Sequence, residues 1–257
     1  MRGMRHEPKS IPRRAVLQAG AALLFAGAFP TRRAHAARRL FAAIGITAKI
    51  ERAAELKAAG ADFIVESVAD FLIPFASDAE FAPNRARAKA APLKVRGCNS
   101  FLRDPSLVCV GPQADHARVL RYADVAFARL HELGGEYIVF GSNTARRIPD
   151  GWTRAQADEQ FKALLGAMAP LAERHRVTVA VEMQRSQECN YLNRIDEVVN
   201  VVAPVKNRYV RVLADLFHMR VMGDTPEMLA AALPWVGAVE LAERENRTLP
   251  GLSLIHI

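Results

Sequence analysis

Residues Val177–Glu182 read VTVAVE, a run that few folds can accommodate. It is apolar and β-branched without alternation, the pattern of a strand buried on both faces in a parallel sheet. Shorter apolar runs recur along the chain, most followed by a helical pattern. Leu40–Ile46 precedes Ala48–Ala59, whose helical spacing stops at Gly60, and Ala61–Val68 carries Glu66 near its end. A loop rich in Pro, Ala and Arg leads to Leu93–Cys98. Tyr137–Phe140 lies between two long helix patterns, Ala114–Leu133 and Arg154–Arg174. Helix Ile195–Val202, strand Tyr209–Ala214, helix Pro226–Leu233 and strand Val236–Leu241 complete the series. Seven strand–helix steps in order imply parallel strands joined by right-handed crossovers. The count fits an α/β fold of the (β/α)8 TIM-barrel type lacking its eighth βα unit better than an open doubly wound sheet. No GxGxxG or GxxxxGK[ST] follows any strand, so neither a dinucleotide nor a P-loop site is expected.

The chain carries 35 Lys and Arg against 27 Asp and Glu, a net +8 that suggests nucleic acid or an anionic membrane surface. Position along the chain removes that suggestion. Arg2, Arg5, Lys9, Arg13, Arg14, Arg32 and Arg33 crowd into residues 1–36 against the single acid Glu7, and the remainder is nearly balanced. The order of basic stretch, mild apolar run to Phe29, Pro30 and Ala34-His35-Ala36 is that of an export signal cleaved after Ala36. The Arg13-Arg14 pair resembles a twin-arginine signal, which implies an exported, periplasmic protein. The apolar run of roughly fifteen residues is shorter than the roughly 20 that span a bilayer, so no membrane span is expected after processing. Cys98, Cys109 and Cys189 show neither CxxC nor zinc-ligand spacing, and three buried free thiols are expected. The last six residues, LSLIHI, match CTG-TCT-CTT-ATA-CAC-ATC, the mosaic-end adapter of transposase library preparation. We therefore expect 252–257 to be a non-native tail, 37–251 to be an incomplete barrel, and a chain ending there to be inactive.

In parallel barrels the reactive groups sit where strands end. Glu182 closes VTVAVE, Asp215 closes YVRVLAD, and Glu240 lies in AVELAE. Three carboxylates converging from consecutive strands repel one another, and a hard divalent cation relieves that repulsion. These three are the expected metal ligands.

At these residues the chain resembles the sugar isomerase/epimerase-like barrels of the xylose-isomerase-like superfamily, over most of residues 40–251. VAVEMQRSQECNYLN is similar to the family's fifth strand, where Glu182 falls on the metal-binding Glu and Glu188 on a substrate-contacting or proton-handling Glu. LADLFHM is similar to the sixth strand, with Asp215 as metal ligand and His218 as substrate contact. Arg247-Thr-Leu-Pro250-Gly251 fits the family's Arg-x-x-Pro-Gly, making Arg247 a substrate contact. The resemblance implies divalent-metal-dependent proton transfer beside the carbonyl of a keto sugar, through an enediolate, with Glu182 and Glu188 catalytic. Two departures stand out: Glu240 occupies the position where the family has a His ligand, and the eighth strand with its terminal Glu is missing. Glu in place of imidazole favours Mg²⁺ or Mn²⁺ over Zn²⁺. The alternatives are a lyase or dehydratase of the same superfamily and an exported, non-catalytic sugar-binding barrel. The related abasic-site endonucleases need several His ligands and a basic surface, whereas here the seventh-strand His is missing and the body is near neutral. The expected partner is a small sugar and not nucleic acid, and a homo-oligomer is compatible with the sequence.

Overall fold

All seven strands pair in parallel with their sequence neighbours, in the order β1-β2-β3-β4-β5-β6-β7. The structure is a computed structural model that describes residues 42–243 and Arg247. The proposed export signal at 1–36 and the tail at 252–257 lie outside the described residues. In chain order the elements are β1 (Gly45–Thr47), α1 (Ala53–Ala58), β2 (Phe63–Ser67), α2 (Asp78–Ala90), β3 (Lys94–Asn99), α3 (His116–Glu132) and β4 (Tyr137–Phe140). They continue with α4 (Arg154–His175), β5 (Thr178–Glu182), α5 (Ile195–Val202), β6 (Val210–Asp215), α6 (Leu216–Met222), α7 (Pro226–Ala232) and β7 (Val236–Glu240). Among the described residues β1 and β7 remain unpaired edges, so the sheet curls into a barrel left open between them. The outer faces there stay bare: Ile44, Val239 and Leu241 are exposed.

Strand alternation divides the apolar residues into two layers. Ile138, Phe140, Val179, Val181, Val212 and Ala214 point outward into the main core beneath the helices. Val139, Ala180 and Leu213 point inward and form a separate small cluster with Tyr137 and Ala238. Both faces of the central strands are therefore apolar, which explains the unbroken hydrophobic run of VTVAVE. The three cysteines are free and buried, as expected. No helix among the described residues is long and apolar enough to cross a membrane.

Two expectations need correction. The Pro- and Ala-rich stretch before β3 is largely helical: Ser77 and Glu80 form a capping box at the start of α2, which continues through Pro83. The Ser-x-x-Glu signature was present in the sequence, but Pro83 argued against a helix there. Helix α6 had no expectation at all. It is apolar almost all round and so lacks amphipathic spacing, and Asp215 starts it by accepting hydrogen bonds from the Phe217 and His218 amides. The first strand lies at Gly45–Thr47, later than the expected Leu40–Ile46.

Candidate active site

The inward cluster is the floor of the site. Two residues beyond each of its members, on the same face of the strand, stands the next inward position. On β5, β6 and β7 that position holds a carboxylate: Glu182 after Ala180, Asp215 after Leu213, and Glu240 after Ala238. On β4 it holds Gly141, after Val139. Parallel register sets the neighbours, pairing Glu182 with Leu213 and Asp215 with Glu240. Glu182 is 5% exposed and Asp215 2%, so both acids are inside the barrel mouth. A Cβ at position 141 would overlap Glu182 Oε2, and glycine there lets the carboxylate lie against the end of β4.

Asp215 divides its two oxygens between structure and site. Oδ1 accepts from the Phe217 amide at 2.7 Å and the His218 amide at 3.3 Å. Oδ2 faces His218 Nε2 at 3.6 Å and Arg247 Nη2 at 3.2 Å. One donor atom from each of Glu182, Asp215 and His218 lies within 4.8 Å of the others. Glu240 stands outside that trio, across the β6–β7 register from Asp215.

Electrostatics mark these acids as a mutually repelling set. Burial, followed by the charges of Glu240 and Asp215, holds the Glu182 carboxyl well above the usual carboxylate range, with Arg146 opposing. Burial and Asp215 push Glu240 up to about 7, with Arg247 opposing. Three oxygen-donor carboxylates at one barrel mouth, with Glu182 and Glu240 made harder to ionise by burial and neighbouring charge, fit a hard divalent cation.

His218 has a different part. Burial lowers its pKa to about 4, with Arg247 and Arg185 adding to the shift and Asp215 and Glu188 opposing it, so the ring is neutral at pH 7. Its Nδ1 accepts from the Arg185 backbone N–H at 3.1 Å. In a neutral ring this places the proton on Nε2. Around Nε2 stand Glu182 Oε1 (3.7 Å), Asp215 Oδ2 (3.6 Å) and Glu188 Oε2 (3.9 Å). A protonated Nε2 is a hydrogen-bond donor, which suits a substrate contact better than a metal ligand. Arg247 Nη2 lies 2.8 Å from the same nitrogen and donates to Asp215 Oδ2 at 3.2 Å.

Of the six site residues that the sequence singled out, Glu182, Asp215, Glu188, His218 and Arg247 meet in one mouth, with Glu240 beside them. Three side chains escaped sequence reading. Arg146 is fully buried, donates through Nη1 to the Phe140 carbonyl at 3.2 Å, and is the cation that eases Glu182. Gln184 Nε2 donates to Glu182 Oε2 at 3.4 Å. Arg185 holds Glu188 through Nε at 2.7 Å. Nothing in GSNTARR distinguishes the inward Arg146 from the exposed Arg147 next to it. Glu66, noted near the end of the second strand, has a structural part: its oxygens accept from the Ile50 amide (2.6 Å) and the Ser67 amide (2.9 Å).

Parallel strands with acids at their carboxyl ends define a (β/α)-barrel with a candidate site in its mouth. The sequence pattern of the xylose isomerase-like TIM barrel family matches residues 50–254, and the chain belongs to that family. No curated protein sequence matches the chain. Among solved structures, it is similar to the 3-keto-D-glucoside 4-epimerase YcjR from E. coli (16% identity, TM-score 0.64, covering 80% of this chain and 83% of that one). The D-psicose 3-epimerase from Clostridium cellulolyticum, solved with D-tagatose, has 20% identity and a TM-score of 0.69, covering 81% of this chain and 75% of that one. The IOLI protein with a binding zinc atom has 17% identity and a TM-score of 0.61, covering 81% and 80%.

Proposed function

We propose that the protein is a divalent-metal-dependent isomerase or epimerase of a keto sugar. The observation that carries this reading is the convergence of Glu182, Asp215 and Glu240 from three consecutive strand ends with the neutral donor His218. Glu182, Asp215 and Glu240 would hold Mn²⁺ or Mg²⁺, which when bound supplies Lewis-acid polarisation of a carbonyl oxygen. His218 Nε2–H and Arg247 donate to substrate oxygens and orient the sugar. Glu182 takes the proton from the carbon beside the carbonyl, and Glu188 handles the proton at the neighbouring oxygen. Return of a proton to the opposite face of the same carbon gives an epimer, and return to the adjacent carbon gives an isomer. Loss of a β-hydroxyl instead would make the protein a lyase or dehydratase.

The test is solvent exchange. Full-length protein loaded with Mn²⁺ is incubated with ketohexoses in D₂O, and we expect deuterium at the carbon next to the carbonyl, lost on chelation and in Glu182→Gln. Absence of exchange into any ketose with Mn²⁺ bound would overturn the proposal. One observation favours a second reading, a non-catalytic sugar-binding barrel: Arg247 already places a cation 3.2 Å from Asp215. That reading expects sugar binding with no divalent ion retained. We also propose export by the twin-arginine route, checked by cleavage after Ala36 and its loss in an Arg13→Lys, Arg14→Lys double variant.

A further inference from the structure

We propose that the rim of this site reads a carboxylate, so that the ketose it accepts is a sugar acid; this rests on the keto-sugar reading above. Guanidiniums from three separate loops gather on Glu188. Arg147 Nη2 donates to its backbone carbonyl at 2.7 Å, Arg185 Nε donates to Oε1 at 2.7 Å, and Arg247 Nη1 lies 4.0 Å from the same oxygen. Arg185 and Arg247 also share the Phe217 ring, at 5.3 and 4.6 Å from its centroid. Two cations, Arg185 and Arg247, therefore face the Glu188 carboxylate at the entrance while Arg147 holds its backbone, and the side chains of Arg185 and Arg247 are 37% and 45% exposed.

Deeper in, the buried Arg146 offsets Glu182, and a divalent cation would balance the remaining charge of Glu182, Asp215 and Glu240. The excess positive charge then belongs to the rim. A mouth lined with one sign of charge concentrates ligands of the other. Among the described residues, Arg185 Nη1 and Nη2 hydrogen-bond to no group, so a planar fork stands open towards the entrance.

The amide inventory separates carboxylate from phosphate. Phosphate sites draw on free backbone N–H groups at helix starts. Among the described residues, the amides at the starts of α5 and α6 are taken: Phe217 and His218 by Asp215, Ile195 by Asp224, and Asn193 and Arg194 by Glu197. What remains is guanidinium, whose fork matches a planar carboxylate in two parallel bonds.

A matched pair of substrates tests this. D-fructose and D-fructuronate differ only in carrying CH₂OH or COO⁻ at the end remote from the carbonyl, and D-fructose 6-phosphate serves as the phosphate arm. With Mn²⁺-loaded full-length protein, deuterium exchange gives kcat/KM and calorimetry gives affinity. We expect fructuronate to exceed both others by about tenfold to a hundredfold, as one charge-assisted bidentate contact allows. Arg185→Gln should collapse that ratio, and Arg185→Lys should restore part of it. If fructose or the phosphate exchanges as well as fructuronate, the carboxylate rim is overturned and the keto-sugar reading stands. If nothing exchanges but fructuronate binds in an Arg185-dependent way, the rim stands and the chemistry falls. If nothing exchanges and fructuronate does not bind, both are overturned. Should the Arg185 variants not fold, the wild-type protein decides: a fructuronate preference that does not fall between about 20 and 300 mM salt overturns the rim, because charge attraction at an exposed rim is screened.

Discussion

Replacing Gly141 with Ala inserts a single methyl group into the ring of strand ends and displaces Glu182. The backbone at Gly141 lies outside the left-handed region, so alanine meets no conformational objection there. The added Cβ overlaps Glu182 Oε2 and stands 2.5 Å from Gln184 Nε2, where ordinary contact begins at 3.4 Å. The carboxylate must retreat by about 1 Å, a shift that in a well-packed interior costs about 1–3 kcal/mol. It also removes a donor atom from the position shared with Asp215. Disturbing a ligand's setting to this degree weakens metal binding by about 10- to 100-fold. Titration calorimetry with Mn²⁺ measures the affinity directly. Thermal unfolding with and without Mn²⁺ supplies a second measure, since that loss of affinity removes about 1.4–2.8 kcal/mol of metal-linked stability. Gly166→Ala is the internal control: the position is inside α4 with nothing within 4 Å of a new Cβ. It should stabilise the protein by about 0.5–1 kcal/mol through helix propensity alone. A Gly141→Ala protein that binds Mn²⁺ as the wild type does, with unchanged unfolding, would refute the assignment of Glu182 to the metal set.

The remaining predictions address neighbouring groups. With the proton of His218 on Nε2, His218→Asn should keep Mn²⁺ affinity within about threefold while turnover falls about a hundredfold, whereas Asp215→Asn should weaken Mn²⁺ at least about tenfold. Equal losses of affinity in the two variants would contradict the hydrogen-bond donor role. Glu240 titrates near 7 in the metal-free fold against an ordinary 4.5. Because its folded value is raised, the stability it contributes is complete below pH 4.5 and is lost as pH rises through about 7. Urea unfolding of metal-free wild type and Glu240→Gln should therefore show a difference that declines over that interval, and a flat or rising difference would count against it. Glu66→Gln should lower stability by about 1–3 kcal/mol, because its two backbone bonds lose a charged acceptor, with Mn²⁺ affinity unchanged; weakened Mn²⁺ binding would place Glu66 in the site.

Hydrophobic period and strand-end chemistry are local properties, and they carried most of the architecture. The limits of β4 and α5 fall where the sequence placed them, and Glu182, Asp215 and Glu240 were legible as acids ending apolar runs. Elements failed where local signals conflicted, as in α2 with its internal Pro83, or were absent, as in α6 with apolar residues all round. Site residues failed for another reason. Arg146 becomes fully buried, and Gly141 is pressed against a carboxylate, only because β4 lies beside β5; neither fact has a trace in the neighbouring sequence.

The sequence by itself determined a parallel α/β chain with acids at successive strand ends, because strand burial and residue type are written one position at a time. Tertiary structure decided which nitrogen of His218 bears the proton, through an amide 33 residues away in β5's loop. It also decided that three arginines from three loops meet at Glu188. Hydrogen-bond partnership and charge balance depend on distances between segments, and those distances exist only once the barrel has folded.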